Sequence, residues 1–388
     1  MMDRDLYFNH AGTSWPKPDV VSVAVQEAMS APPMRWAQQF EQAHQAIASY
    51  FGVRDAEQIL LTPGCTAALA VGIGDVFVAS GKRLLTSRWE HHALHRPLLK
   101  LASAGVSLEY IPHSPGDATG ESESAMAVGA AIDLDWLQAS LSNQDVGLVA
   151  ITAACNVSGE LLPYEAVIRM AHDNGAMVLI DAAQVVGWLD LDLPGLGADM
   201  VAFGGHKGLQ SPWGIGGLYL SERAQMECVS AACVLPSADR SEMPPPPRPG
   251  YCDVGSVDQI ALAGLYAAVK HLRQQDAGTQ LSRARGQIER IQSLLQSMGK
   301  VQVVEPIEVG RRMPTLAFSV TGVPSGQVAV DFRRHGMMVG SGIQCAPLAH
   351  QTLGTESSGL VRISVGLGQP DDEIDEAIDR MNSMPLLD

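Results

Sequence analysis

The chain is poor in positive charge. Its 388 residues include 26 Lys and Arg against 42 Asp and Glu, which gives a formal net charge of −16. Because nucleic acids and anionic membranes attract basic surfaces, this balance argues against both as partners. The sequence also lacks any apolar run near the ~18 residues of a membrane span, and its start lacks the apolar segment of a secretory signal. We therefore expect a cytoplasmic protein.

Two further patterns are missing. The six cysteines include no C-x-x-C pair, which argues against a zinc ribbon or a thioredoxin-type site, and we expect no metal centre. Cysteines in a large chain of this kind are usually free thiols. No repeat of solenoid period occurs. These absences favour an ordinary globular enzyme.

Apolar runs alternate with helical patterns between residues 60 and 220. The runs 146–151, 177–180 and 200–203 are bounded by Gly, Asp or Asn. This alternation predicts an α/β domain with a mainly parallel sheet. Ligands of such sheets bind at the carboxyl ends of the strands, so we expect the chemistry just after these runs.

The second half of the chain has a different pattern. A proline-rich stretch, 243–250, predicts an extended surface loop. A long helical region follows at about 257–298, and strand-like segments lie at 313–320 and 360–365. An acidic helix is predicted from Pro370 to about Met381, because carboxylates in a first turn suit the helix dipole. We expect a smaller α+β domain here.

The strongest motif is Gly-Gly-His-Lys at residues 204–207. It follows an apolar run and precedes a glycine-rich segment, 212–219. Glycines let another group approach the backbone closely. A lysine held there away from water can have a lowered pKa and form an imine. Taken alone, a loop lysine is usually a solvated cation; here we interpret Lys207 as a candidate for a Schiff base with pyridoxal phosphate (PLP).

An acidic residue closes another apolar run. Asp181 stands 26 residues before Lys207 and follows Leu179-Ile180. A carboxylate at this place could keep the PLP ring nitrogen protonated, which makes the ring an electron sink. Gln184 could donate to the phenolate oxygen of the ring. The simpler alternative for Asp181 is a helix N-cap.

Two weaker motifs complete the set. A glycine turn before Cys65 and Thr66 leads into an Ala-rich helix, and free amides at such a start can bind phosphate. His91 offers a planar ring that could stack on a pyridine ring. Many helices begin in this way, and an isolated histidine is more often a surface or capping residue.

Taken together, these motifs resemble the class V aminotransferase family of PLP enzymes, and within it the cysteine desulfurases and selenocysteine lyases. Residues 7–18, YFNHAGTSWPKP, look like the family's opening YFDNAATSWPKP, and residues 359–364 look like its G-x-V-R-x-S. The resemblance implies PLP fold type I, with a mainly parallel sheet of seven-stranded type. It implies a large domain at 14–260 and a small α+β domain made of 1–13 and 261–388.

The resemblance also implies roles for the candidate residues. Lys207 would form the Schiff base and move the substrate's α proton, with His91 assisting. Asn156 and Arg362 would orient the substrate carboxylate, for which a guanidinium fork is well suited. Ser256 would reach the phosphate from a second subunit, which implies a homodimer with shared active sites. The residues implied to contact the cofactor are Cys65, Thr66, His91, Asp181, Gln184, His206, Lys207 and Ser256.

The segment 340–350, which contains Cys345-Ala-Pro-Leu-Ala-His, is similar to the cysteine loop of desulfurases. The resemblance implies that Cys345 takes sulfur from L-cysteine as a persulfide and that L-alanine leaves, with a sulfur-acceptor protein as a partner. A thiolate of this kind needs an exposed loop.

Alternatives stay open because Gly340 and Gln344 stand where the family has Arg and His. One alternative is another class V enzyme: an aminotransferase, a cysteine or selenocysteine lyase, or an epimerase. The other is a non-catalytic PLP-binding or regulatory scaffold, against which Lys207, Asp181 and Arg362 argue.

Overall fold

The computed structural model describes residues 5–76, 82–113, 125–126, 132–224, 257–305 and 311–388. Its helices there are α1 (Asp19–Ser30), α2 (Trp36–Tyr50), α3 (Cys65–Val71), α4 (His92–Ser103), α5 (Leu134–Leu141), α6 (Tyr164–Asp173), α7 (Leu193–Leu196), α8 (Gln259–Leu272), α9 (Ala277–Gln296), α10 (Ser325–Arg334), α11 (Pro347–Thr352) and α12 (Asp371–Asn382). Its strands are β1 (Leu6–Phe8), β2 (Ile59–Thr62), β3 (Arg83–Thr86), β4 (Leu108–Tyr110), β5 (Ala125–Met126), β6 (Val146–Thr152), β7 (Met177–Asp181), β8 (Met200–Gly204), β9 (Gly216–Leu220), β10 (Val301–Val304), β11 (Thr315–Val320), β12 (Met337–Val339) and β13 (Val361–Ser364).

A seven-stranded sheet forms the centre of the molecule. Its order is β2-β9-β8-β7-β6-β3-β4, and β9 alone runs against its neighbours. Every residue of β6, β7 and β8 is buried. Strands covered on both faces are continuously apolar, which is why these runs could be recognised in the sequence. The predicted mainly parallel sheet is confirmed.

The reversed strand β9 determines where β2 points. Because β9 is antiparallel to both β2 and β8, these two strands run in the same direction. The carboxyl ends of β2, β3, β6, β7 and β8 therefore meet at one edge of the sheet. The start of β9 lies at that edge as well, since this strand is reversed.

The C-terminal part contains smaller sheets. Strands β13, β11, β10 and β5 form one in that order, and β1 pairs with β12. The α+β character predicted for this part is confirmed. The proposed division at 14–260 stays a prediction, and it is not clean, because β5 comes from within that range and pairs with β10.

The helical region predicted at about 257–298 consists of two helices. α8 ends at Leu272, and α9 begins after Asp276, whose side chain accepts a hydrogen bond from the Thr279 amide at 3.0 Å. An N-cap of this kind starts a new helix. The acidic C-terminal helix is confirmed as α12, and the proline-rich segment 243–250 lies outside the described residues. No helix among the described residues is long and apolar enough to cross a membrane.

Candidate active site

A cavity of about 760 Å³ opens at the sheet edge where the carboxyl ends meet. Segments that follow β2, β3, β6, β7 and β8 contribute its walls, together with the N-terminal segment and the loop before α11. Parallel strands place their ends together in this way whatever their distance in the sequence. Of the residues lining it, those predicted from the sequence are Cys65, Thr66, His91, Asn156, Asp181, Gln184, His206, Lys207, Cys345 and Arg362.

Lys207 lies just after β8, where the preceding peptide is firmly held. The carbonyl oxygen of His206 accepts four hydrogen bonds: from the Ser14 amide at 3.0 Å, the Ser14 hydroxyl at 3.1 Å, the Thr13 hydroxyl at 3.0 Å and Lys17 Nζ at 2.8 Å. The donor from Lys17 is charged, and such bonds are the stronger ones. The N-terminal segment therefore fixes the backbone from which Lys207 projects.

The surroundings of Lys207 favour a reactive amine. Burial is the largest influence on the pKa of Lys207 and lowers it, while the charge of Asp181 acts in the opposite direction. Desolvation disfavours the ammonium form. A lysine of lowered pKa is a better nucleophile toward a carbonyl carbon than a solvated one.

Asp181 ends β7 and is 4% exposed. Its Oδ1 accepts hydrogen bonds from the Ala183 amide at 2.9 Å and from the Cys65 thiol at 3.4 Å. Burial raises the pKa of Cys65, so its sulfur keeps the proton that it donates. Among the described residues Oδ2 has no hydrogen-bond partner, which leaves one carboxylate oxygen for a ligand.

The start of α3 presents free backbone amides to the cavity, and we call this turn the cradle. Gly64 adopts φ 145°, and helical hydrogen bonding begins with the amides of Ala67 and Ala68. The amides of Cys65 and Thr66 therefore point out of the helix, as in anion sites at helix N-termini. A Cβ on Gly216 would lie 2.8 Å from Gly64 Cα, so β9 approaches this turn more closely than a side chain permits.

His91 caps helix α4 with its ring. Its Nδ1 accepts a hydrogen bond from the Ala93 amide at 3.0 Å, so the ring proton is on Nε2. Burial, and then the charge of Lys207, lower the pKa of His91 to about 4. The cavity is thus lined by a neutral imidazole with one N–H to donate.

The side chain of Glu90, which is 1% exposed, holds the turn that carries His91. Its Oε1 accepts from the Ser87 hydroxyl at 2.5 Å and its Oε2 from the Thr152 amide at 2.8 Å. Burial raises the pKa of Glu90 to about 8. The carboxyl connects the end of β3 to the end of β6 and so holds two walls of the cavity together.

Arg362 is 5% exposed and extends from β13 into the cavity. Its Nη1 donates to the Asn156 carbonyl at 2.7 Å and its Nη2 to Asn9 Oδ1 at 2.8 Å. Burial lowers the pKa of Arg362 to about 10, which leaves it charged at neutral pH. The guanidinium is therefore oriented by neutral oxygens, and no carboxylate of the described residues pairs with it.

Cys345 lies on the loop 340–346 at the mouth of the cavity, and its side chain is exposed. The loop is docked: Asn156 Nδ2 donates to the Gln344 carbonyl, and the His92 amide donates to the Cys345 carbonyl, both at 2.8 Å. Cys345 lines the same cavity as Lys207 and Arg362.

Three buried polar atoms of the cavity have no hydrogen-bond partner among the described residues: Asn156 Oδ1, His206 Nδ1 and Arg362 Nε. Buried polar groups are normally paired, so unpaired ones in a cavity indicate a ligand that supplies the partners. The set is suited to PLP: an amine for its aldehyde, a carboxylate oxygen for its ring nitrogen, and helix amides for its phosphate. A divalent metal is less well suited, since no cluster of three or more His, Cys, Asp or Glu occurs among the described residues.

The remaining candidates have mixed outcomes. Gln184 lines the cavity, and its Nε2 donates to the Ala11 carbonyl at 3.2 Å. Asn156 lines it too, although its Nδ2 holds the Cys345 loop, which leaves only Oδ1 for a substrate. Ser256 lies outside the described residues. The roles of all these residues stay predictions.

Sequence reasoning missed three residues that shape the site. Lys17 holds the His206 carbonyl, Asn9 orients Arg362, and Trp213 lines the cavity and lies 6.1 Å from the His206 ring, centroid to centroid. Lys17 and Asn9 lie within segment 7–18. The resemblance of this segment to the family's opening motif indicated that it matters, but it did not indicate what either side chain does. Trp213 lies in the glycine-rich segment 212–219, where its ring gave no signal of its own.

Comparison with known proteins assigns the family. The model of the family "Aminotransferase class-V" matches residues 7–377. The chain belongs to the class V aminotransferase family. Membership implies a PLP enzyme, as the sequence motifs predicted. Similar curated proteins include a cysteine desulfurase from Pectobacterium atrosepticum, 27% identical over 87% of this chain and 80% of its own length, and a probable cysteine desulfurase from Chlamydia muridarum, 30% identical over 77% and 72%.

Solved structures of the same fold agree with the family. A cysteine desulfurase from Thermococcus onnurineus NA1 superposes with a TM-score of 0.84 at 23% identity, covering 98% of this chain and 94% of its own. One from Escherichia coli gives 0.84 at 21% identity, covering 99% and 95%. The predicted PLP fold type I is therefore confirmed.

Proposed function

We propose that this protein is a PLP-dependent cysteine desulfurase, which converts L-cysteine to L-alanine and places the sulfur on Cys345 as a persulfide. The observation that carries the proposal is the position of Cys345. Its exposed thiol stands at the mouth of the cavity that Lys207 and Arg362 also line. Similarity to desulfurases along most of the chain supports it.

The cofactor would be held by groups that the geometry leaves free. Lys207 Nζ would bind its aldehyde carbon, Asp181 Oδ2 its ring nitrogen, and the amides of Cys65 and Thr66 its phosphate, with His206 Nδ1 beside them. When bound, PLP supplies an electron sink that stabilises negative charge on the substrate's α carbon. The neutral His91 ring would lie against the pyridine face.

The protein's own groups would then orient the substrate and move protons. Arg362, whose Nε is unpaired, would bind the substrate carboxylate. Asn156 would help to orient that carboxylate through its backbone carbonyl, which accepts a hydrogen bond from Arg362 Nη1. Lys207 Nζ, with its pKa lowered by burial, would take the proton from the α carbon. His91 has a proton on Nε2 to donate toward the cavity and takes up no second proton near neutral pH.

The sulfur step balances without an oxidant. The Cys345 thiolate attacks the sulfur of L-cysteine, the Cβ–S bond breaks, and an S–S bond forms on Cys345. The electron pair of the broken bond stays on Cβ, which takes up a proton to give L-alanine. The products are one alanine and one persulfide, and release of the sulfur as sulfide needs a thiol reductant or an acceptor.

The same proposal covers features that accompany this chemistry. We propose a homodimer in which Ser256 of one subunit completes the phosphate site of the other, a sulfur-acceptor protein as the partner of the exposed Cys345, and a cytoplasmic location. Net charge of −16 disfavours nucleic acid as a partner. We also propose the domain division at 14–260 against 1–13 and 261–388.

The test is alanine and sulfide production from L-cysteine, with and without dithiothreitol. Cys345→Ser should keep the visible cofactor band and lose alanine formation, while Lys207→Ala should lose the band. Ile343→Ser is the matched control, because Ile343 is on the same loop and 39% exposed; it should keep activity.

Each alternative gives a different result. A lyase that acts without a persulfide would survive Cys345→Ser, and an aminotransferase would form a keto acid from an amino donor instead of sulfide. A non-catalytic scaffold would make none of these products. Full activity of Cys345→Ser would overturn the proposed role of the thiol.

A further inference from the structure

The loop 340–346 holds Cys345 in a backbone geometry that side chains rarely adopt. The φ angles are 39° at Gln344 and 58° at Cys345, both in the left-handed region. Neither residue is glycine, so both are strained. Such strain persists only where the surrounding structure fixes it. The contacts that fix these two residues therefore decide where the thiol lies.

The side chain of Gln344 is anchored at both ends. Its Nε2 donates to the Leu360 carbonyl at 2.7 Å, and its Oε1 lies 2.9 Å from His350 Nε2. His350 is completely buried, and its Nδ1 lies 2.8 Å from the Thr355 hydroxyl. Thr355 is 4% exposed. A chain of hydrogen bonds thus connects the residue before Cys345 to the end of α11.

The direction of each hydrogen bond in this chain is determined. The Leu360 carbonyl only accepts, so the Gln344 end that faces it is the amide nitrogen, and the other end is the oxygen. His350 must therefore donate from Nε2, and its Nδ1 must accept the Thr355 hydroxyl proton. Burial lowers the pKa of His350 to about 4. The ring is held as one neutral tautomer.

We propose that Gln344, His350 and Thr355 form a clasp that positions the Cys345 thiol over the cavity. The inference rests on the proposed function and adds three positioning residues to it. The Leu360 carbonyl sets the orientation of the Gln344 amide, and this orientation sets the tautomer of His350. Thr355 supplies the donor for the buried Nδ1 of that tautomer, and Gln344 holds the left-handed turn in which Cys345 is presented. None of the three would exchange a proton with substrate.

A second set of contacts holds the backbone of the same loop. Asn156 Nδ2 and the His92 amide hold the carbonyls of Gln344 and Cys345 from the cavity side. The side chain of Gln344 is pulled toward α11, while its carbonyl is held toward the cavity. Loss of the clasp would leave the carbonyl contacts alone to resist relaxation of two strained residues.

The experiment compares two substitutions at Thr355 in the loaded enzyme. Thr355→Val keeps the side-chain shape and removes the hydroxyl, whereas Thr355→Ser keeps the hydroxyl. Without that donor the buried Nδ1 of His350 loses its partner, which weakens the hold of the ring on Gln344. Gln351→Ala, an exposed position on the same helix α11, is the control. Alanine formation gives kcat and KM, and mass spectrometry follows iodoacetamide labelling of Cys345.

We expect Thr355→Val to lower kcat at least about tenfold, since misplacement of a reacting group by ~1 Å costs up to ~10²-fold. KM for L-cysteine and the cofactor band should stay near wild type, because the substituted residue, Thr355, is buried outside the lining of the cavity. Labelling of Cys345 should become roughly threefold faster as the loop loosens locally. Thr355→Ser and Gln351→Ala should stay within about twofold of wild type in kcat and labelling, because the hydroxyl and the clasp are retained.

Two results would overturn the clasp: equal losses of kcat in Thr355→Val and Thr355→Ser, or an unchanged kcat and labelling rate in Thr355→Val. If Thr355→Val fails to fold, Gln344→Met tests the same link, since it removes both hydrogen bonds at a partly exposed position and should give the same losses. If the wild type forms no alanine, the proposed function fails, and the labelling rates alone then decide the clasp.

Discussion

We expect the protein to lose stability in mild acid, because four histidines have lowered pKa values in the folded state. Burial lowers the pKa of His10, His91, His206 and His350 to about 4, from an ordinary 6.5. Unfolding restores the ordinary pKa, so between about pH 6.5 and 4 the unfolded chain binds protons that the folded chain does not. The stability that depends on these neutral rings is therefore complete above pH 6.5 and is lost as the pH falls toward 4.

One carboxyl acts in the opposite direction. Burial raises the pKa of Glu90 to about 8, so near pH 5 the folded chain keeps a proton there that the unfolded chain has largely released. For these five groups alone, four rings less one carboxyl leave a difference of about three protons, or a slope of roughly 4 kcal/mol per pH unit. Solvent screens the partly exposed rings, and we therefore expect about half of this slope, roughly 2 kcal/mol per pH unit.

The measurement is urea unfolding of the cofactor-free protein, followed by tryptophan fluorescence at pH 7, 6 and 5 and one ionic strength. The free energy of unfolding should fall by about 2 kcal/mol between pH 6 and 5. His10→Gln removes one of the titrating rings, so its slope should be shallower by about a third. A flat dependence between pH 6.5 and 5, or an unchanged slope in His10→Gln, would refute the reasoning.

Three further substitutions test the site. Lys17→Met removes the charged donor from the His206 carbonyl; three donors remain, so the free energy of unfolding should fall by only about 1–2 kcal/mol in urea titrations. Gly216→Ala places a methyl group 2.8 Å from Gly64 Cα. This overlap should lower the free energy of unfolding by about 1–3 kcal/mol and weaken PLP binding in equilibrium dialysis. Unchanged PLP binding would contradict the phosphate site proposed at the start of α3. Arg362→Lys keeps the charge but loses the planar fork, so KM for L-cysteine should rise about tenfold or more in steady-state kinetics.

The sequence located residues of the cavity where these residues directly follow a strand. Asp181 and Lys207 each come just after a buried apolar run, and the carboxyl-end rule places such residues together without any knowledge of the intervening loops. The phosphate site at Cys65 was predicted from an equally local pattern, because a glycine turn before a helix leaves backbone amides free. These inferences need only local pattern and the parallel direction of the sheet.

The parts that could not be predicted depend on contacts between distant residues. The four donors on the His206 carbonyl come from the opening segment, and the Gln344–His350 contact depends on the left-handed turn at Gln344. The hydrogen bond from Asn156 Nδ2 to the Gln344 carbonyl was not predicted, and the substrate role of Asn156 stays a prediction. No local periodicity encodes which carbonyl a side chain will meet after the chain has folded.

The position of β9 has a consequence for how the chain folds during synthesis. Strand β2 pairs with β9, where Leu60 lies opposite Leu218. Strand β1 pairs with β12, where Leu6 lies opposite Met337. Strands β1 and β2 therefore pair with segments that lie much later in the sequence, and such non-local pairing is slow. The cavity itself closes only once Arg362 has been added. A nascent chain that has Lys207 but not yet β13 lacks Arg362, so the groups that line the cavity come together only after β13 has been synthesised.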